Sequence, residues 1–201
     1  LKTDHFFTIE RLSVAEFKDR GSRFIAFANP IAEATLFRQW LQQLRKEHPK
    51  AVHHCYAYRF GTAGDQFRAN DDGEPAGTAG KPILAQIDSK NITDTGIVVV
   101  RYFGGSLLGV PGLINAYKTA ASLALQTVPI VRKAILISYS IEFEYPAMND
   151  VMQIIKNLNC EIIHQESQLF PRIQLRVSLK SEEDFLQKLT ELRNVEIKKI
   201  L

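Results

Sequence analysis

The sequence predicts an α+β chain organised as two domains. Three observations carry this expectation. The last third alternates apolar and polar residues in a strand, helix, strand, strand, helix, strand order. The earlier part mixes helical and strand spacing around two glycine-rich loops. A chain of 201 residues, 45% apolar and 23% charged, is long enough for one large or two small cores, which excludes disorder, collagen and a disulfide scaffold.

Strands are expected around Phe6 to Ile9, Ala15 to Asp19 and Ser22 to Ala28, before Pro30. Leu36, Phe37, Trp40, Leu41 and Leu44 then repeat at helical spacing up to the break at His48-Pro49. Ala51 to Phe60 reads as a strand and Ile97 to Tyr102 as a buried one. Leu113 to Thr127 is a helix of small residues able to pack closely on a sheet, and Pro129 to Lys133 reads as a hinge. The expected domains are therefore residues 1–130 and 134–201.

In the second domain, Ile135, Ile137, Tyr139, Ile141, Phe143 and Tyr145 alternate along one strand that Pro146 stops. Asn149 is placed to cap a helix with Val151, Ile154, Ile155 and Leu158 on its apolar face. Glu161 to Gln168 reads as a strand, and Phe170-Pro171 turns the chain into the alternation of Ile173, Leu175, Val177 and Leu179. Ser181 is placed to cap a helix carrying Phe185, Leu189 and Leu192, and Val195 to Leu201 closes the βαββαβ order of the ferredoxin-like motif.

A net charge of +3 is too small for a dedicated nucleic-acid coat protein. The charge is uneven: residues up to Arg132 hold 16 Lys and Arg against 12 Asp and Glu, and the rest hold 9 against 10. A polyanion site would belong to the first part. Cys55 and Cys160 lack C-x-x-C spacing and read as thiols of a reducing compartment. The chain opens without a leader-like apolar segment and has no stretch long enough to span a bilayer, so a cytoplasmic location and no membrane association are expected. The sequence leaves the oligomeric state open.

The first loop, Arg68 to Pro82, packs Asp71, Asp72 and Glu74 with Gly73, Gly77, Gly80 and Lys81. It does not read as a strand. A Walker A loop is excluded because the required first glycine falls at Pro75 and the Ser/Thr position is Pro82. The three acids admit two readings, a site for a hard cation such as Mg²⁺, or turn and helix caps with Glu74 paired to an arginine. The second loop, Arg101 to Gly112, follows a Val-rich strand and opens a helix, a setting suited to an anion. Gly104 and Gly105 are adjacent, so the dinucleotide fingerprint does not fit. Arg101, Tyr102 and Phe103 would suit a phosphate with a stacked base, or would be partly core residues at a glycine turn. Lys118 is placed to face this loop. His53 and Cys55 can share a strand face, but without a third orienting group they read as structural. No cofactor motif is present, and none is expected.

The string Asp71 to Leu84, together with Val99 to Gly105, Leu108-Gly109 and Ala51 to Ala57, resembles the signature of the Impact family of YigZ-like proteins. The resemblance runs from about Ser22 to Ala121, and the βαββαβ tail resembles the C-terminal module of bacterial members. It implies an N-terminal domain of the fold seen in a small-subunit ribosomal protein and in the fourth domain of elongation factor G, and a ferredoxin-like tail. The resemblance implies that eukaryotic relatives regulate translation by binding a partner of a stress kinase, partly through an extra domain to which the resemblance of this sequence does not extend. Relatives read Leu-Gly-x-Gly-Gly-Leu and then Arg-Ala-Tyr where this chain has Pro111 and Asn115, changes that remove an N–H and a cation from the second loop.

Together these features lead to a non-enzymatic, translation-associated binding protein, contacting RNA, the ribosome or a translation factor. The expected binding residues are Asp71, Asp72, Glu74, Gly77, Lys81, Arg101, Tyr102, Phe103, Gly104, Gly105 and Lys118. The alternatives are a metal-dependent enzyme acting on a small phosphorylated or peptide-like ligand, and a protein-interaction module anchored by Tyr102, Phe103 and Leu107.

Overall fold

The computed structural model describes residues 3–167 and 169–200. The ends of the expected strands at Gln168 and Leu201, and the first two residues of the chain, lie outside the described residues. The chain divides into two compact units, Phe6–Lys133 and Leu1–His5 with Ala134–Leu201.

In the larger unit, β6 (Thr95–Tyr102) is buried from Thr95 to Arg101, as its continuous Ile-Val-Val-Val run requires of a central strand covered on both faces. It pairs antiparallel with β3 (Ser22–Pro30) and β4 (His53–Phe60). Strands β2 (Ser13–Asp19) and β5 (Gln66–Asn70) form the edges, giving the order β2-β3-β6-β4-β5. One face packs on α1 (Ala34–Glu47) through Phe37, Leu41 and Leu44 against Val98 and Val100. The other carries Phe24, Ala26, Ala28, Cys55, Ala57, Ile97 and Val99 beneath α2 (Gly80–Ser89) and α3 (Gly109–Gln126). Alanines 116, 120, 121 and 124 of α3 lie in the same buried cluster as sheet alanines 26, 28 and 57, which allows the close helix-on-sheet approach that the small-residue pattern predicted.

Three expectations are corrected here. Arg68 to Asn70 is a strand, the end of β5, paired with β4 from Gln66 to Asn70. Gly80 to Pro82 opens a helix, α2, because proline is tolerated in a first turn whose N–H groups have no intrahelical acceptor. Pro129 to Lys133, read as a hinge, is mostly strand rather than irregular linker: β7 (Ile130–Ala134) pairs with β1 (His5–Ile9) in a two-stranded ribbon.

The second unit has the expected βαββαβ order in β8 (Leu136–Phe143), α4 (Met148–Asn157), β9 (Glu161–Glu166), β10 (Arg172–Ser178), α5 (Glu182–Thr190) and β11 (Val195–Ile200). The sheet order β11-β8-β10-β9 is that of a ferredoxin-like domain. Tyr139, Ile141, Phe143, Ile173, Leu175 and Val177 meet Val151, Ile155, Phe185 and Leu189 in its core. Neither expected cap forms. Asn149 lies inside the first turn of α4, behind a 3₁₀ turn at Tyr145–Ala147, and Ser181 precedes α5 with its own N–H held by Ser178 Oγ at 3.3 Å. No helix among the described residues is long and apolar enough to cross a membrane.

Candidate functional site

Sheet register builds the site. Phe24 and His53 are the Cα partners of Arg101 on its two sides, so all three side chains share the face covered by α2 and α3 at one end of the sheet. The Arg101 guanidinium lies over the Phe24 ring at 5.4 Å and the Phe103 ring at 5.6 Å. Its Nη1 donates to Glu74 Oε1 at 2.6 Å, joining the two glycine loops through a pair whose side chains are only 6% and 3% exposed. Tyr117 of α3 donates to the same Glu74 oxygen at 2.7 Å. Glu74 thus bridges a strand and a helix, and removing it would leave Arg101 charged and buried without a counter-ion.

The first loop is held by its own acids. Asp71 accepts hydrogen bonds from the backbone N–H of Gly77 (2.8 Å), Ala79 (3.0 Å) and Gly80 (2.8 Å), which caps α2 from nine residues upstream. Burial opposes its charge, but these three donors and Lys81 hold the Asp71 carboxyl below its ordinary value. Asp72 accepts from the His54 N–H at 2.7 Å and pairs with Arg45 at 2.7 Å, while its carbonyl accepts from His53 Nδ1 at 2.8 Å. The three carboxylates therefore point to three different partners. Among the described residues no group of three His, Cys, Asp or Glu side chains could hold a metal ion. The turn-and-cap reading with Glu74 paired to an arginine accounts for this loop.

Between the loops lies a pocket of about 430 Å³. Glu74 and Pro75 come from the first loop, Arg101, Phe103 and the segment Leu107 to Val110 from the second, and Val52, His53 and Leu113 complete the lining. The two loops converge on one cleft. The cleft is apolar, and its arginine is not a free cation for a phosphate.

Of the expected binding residues, Glu74, Arg101 and Phe103 line the pocket. Asp71, Asp72 and Gly77 shape the loop beside it. Lys81 and Lys118 are exposed, and neither lines the pocket. Tyr102 faces the other side of the sheet, where its hydroxyl meets His48 Nδ1 at 2.8 Å. The Gly104 N–H is taken by Ser22 Oγ at 3.1 Å, which leaves it unavailable to an anion, and Gly105 is exposed outside the lining. Sequence reasoning gave Tyr117 no role, although a tyrosine on a helix face otherwise made of alanine and leucine signals a buried hydroxyl with a partner. Burial pushes the Cys55 thiol well up, and its Sγ donates to the Asp71 carbonyl at 2.9 Å, so it is no activated nucleophile.

A family model described as the Impact N-terminal domain matches residues 20–125. IMPACT family member YigZ of Escherichia coli is 35% identical over 174 residues, covering 86% of this chain and 85% of its own length. The chain belongs to the Impact family. IMPACT family member YvyE of Bacillus subtilis is 32% identical over 192 residues, 94% of this chain and 87% of that protein. A crystal structure of a hypothetical protein superposes with a TM-score of 0.79 at 30% identity, covering 99% of this chain and 98% of that one. The matched Impact domain contains both loops, Tyr117 and every residue lining the pocket. Pro111 and Asn115, which depart from the pattern the resemblance implies, lie on α3 outside that lining.

Proposed function

We propose that this Impact family protein is a non-enzymatic, translation-associated binding protein whose Impact domain takes a protein component of the translation machinery into the pocket between its two loops. One observation carries the reading: the loops meet in an apolar cleft in which Arg101 is neutralised by Glu74. Such a cleft suits an apolar side chain better than a phosphate, because an anion would have to compete with a buried carboxylate for the same guanidinium. The translational link rests on family membership and on the regulatory role of the eukaryotic relatives.

The test is co-sedimentation with ribosomes and pull-down with purified translation factors, with and without nuclease, comparing the native chain with Leu107→Glu. Association that survives nuclease and is lost in Leu107→Glu supports the reading. Association abolished by nuclease, or unchanged in the variant, overturns it.

A further inference from the structure

We infer that the partner side chain taken into this pocket is a tyrosine; the inference rests on the proposed protein-binding reading of the same site and names its anchor. Leu107 is 83% exposed, Val110 52%, Val52 51% and Phe103 48%, yet all four line one pocket with the buried Leu108 and Leu113. Exposed apolar residues gathered in one cavity mark an interaction site rather than scattered surface hydrophobics. They call for an apolar body on the occupant. Two polar groups of the same lining, on Arg101 and His53, decide what its tip must be.

Arg101 supplies a donor. Its Nη1 is spent on Glu74, and the Phe24 and Phe103 rings lie against the guanidinium, which leaves the edge shared by Nε and Nη2. Nε is buried without a hydrogen-bond partner, and Nη2 has none among the described residues. A buried donor without an acceptor carries its full desolvation cost, which an oxygen arriving from the pocket relieves. One oxygen is enough: Arg172 sets the same two nitrogens on a single oxygen of Glu142. His53 supplies an acceptor. Its Nδ1 lies 2.8 Å from the Asp72 carbonyl, which only accepts, so Nδ1 carries the ring proton and Nε2 of the neutral ring is a bare lone pair. Glu74 Oε1, 3.9 Å from Nε2, is an acceptor too and offers it no proton. Arg101 Nη1 lies 2.6 Å from that same oxygen, and Arg101 and His53 are Cα partners on neighbouring strands, so donor and acceptor are neighbours in the lining.

The complement is a group that both accepts and donates at the end of an apolar body, which among protein side chains is the phenol of tyrosine. Leucine and phenylalanine would cover both groups and satisfy neither. Tryptophan carries a donor only, and a carboxylate carries acceptors only and would meet Glu74. Serine, threonine, asparagine and glutamine bring both functions without the apolar body. A nucleobase presents several polar atoms to these two groups, and the rest would be desolvated against apolar walls without partners.

The test is selection from a displayed random peptide library on the immobilised full chain, with counter-selection on Leu107→Glu. The expected consensus holds one tyrosine, and replacing it by phenylalanine in a selected peptide should cost about tenfold or more in affinity. The same pair of peptides measured on the His53→Ala chain should differ by about threefold or less, because the hydroxyl has lost its acceptor. The comparison of the two peptides on the native chain stands even where His53→Ala fails to fold. A leucine, methionine, phenylalanine or tryptophan consensus, equal affinity of the two peptides, or a preference unchanged in His53→Ala overturns the tyrosine anchor while leaving protein binding standing. Failure to select any peptide that depends on Leu107, or displacement of the peptides by a single-stranded RNA dodecamer, overturns both readings.

Discussion

Glu74 sits among small turn residues in the sequence, where pairing to an arginine is one of its two readings, but nothing local says that the partner is Arg101, 27 positions away. A lone arginine ahead of a glycine turn reads as a solvent-facing cation. The register of β3, β6 and β4 instead carries Arg101 inward, between two aromatic rings and against Glu74. Breaking a buried pair from one side leaves an uncompensated charge, so Glu74→Ala should destabilise the Impact domain by about 3–5 kcal/mol in urea unfolding. Tyr117→Phe removes the hydrogen bond to a charged acceptor, Glu74, together with the weak one the hydroxyl accepts from Cys55 Sγ at 3.3 Å, and should cost about 1.5–3 kcal/mol. Asp71 provides a pH test with a definite sign. Its pKa is lower folded than unfolded, so its contribution to stability is complete above the unfolded value of about 3.9 and is lost as pH falls through the folded one. Asp71→Asn should therefore lower stability at neutral pH and flatten the acid limb of the stability profile. An acid limb as steep as in the native chain would contradict this role.

At the scale of elements, legibility followed apolar periodicity. Strand β6, helices α1 and α3 and the βαββαβ order were visible because their apolar residues recur at regular spacing and face a core. Strand β5 was hidden because an exposed edge strand with only Phe67 as a large apolar residue carries no alternation. Helix α2 was hidden because it is ten residues long, starts Gly-Lys-Pro, and is capped by Asp71 rather than by an adjacent residue. The loop glycines likewise have reasons the sequence does not display. A Cβ on Gly104 would lie 1.9 Å from the Gly21 carbonyl carbon, and one on Gly80 would lie 2.5 Å from Asn70 N. Both glycines permit backbone-to-backbone approach that sets where the loops sit. Gly105 has φ +87° but open space where a Cβ would go. Gly104→Ala and Gly80→Ala should each cost about 3 kcal/mol through overpacking. Gly105→Ala should cost only about 1–2 kcal/mol through backbone strain. Thermal unfolding of the three variants checks the order, and an equal loss at Gly105 would show that φ rather than contact sets the requirement.

For the whole molecule, the distribution of cores determines how stability is organised. The apolar clusters of Phe6–Lys133 flank the five-stranded sheet, and a separate cluster fills the ferredoxin-like unit. Among the described residues, no buried residue belongs to both sets. Each unit should therefore unfold as its own cooperative step, and calorimetry of the full chain should resolve two components. The ferredoxin-like unit is the smaller, and smaller domains in general bury a lower fraction of their surface, so its component should melt first. Phe185→Ala, which empties a fully buried position, should lower that component by about 3–5 kcal/mol and leave the other in place. Glu74→Ala should do the reverse, shifting only the component of the Impact domain. A single transition moved by both substitutions would mean that the two cores melt as one. The charge asymmetry of the sequence would then no longer mark a separable binding unit, and disturbance of the pocket would be felt through the entire chain.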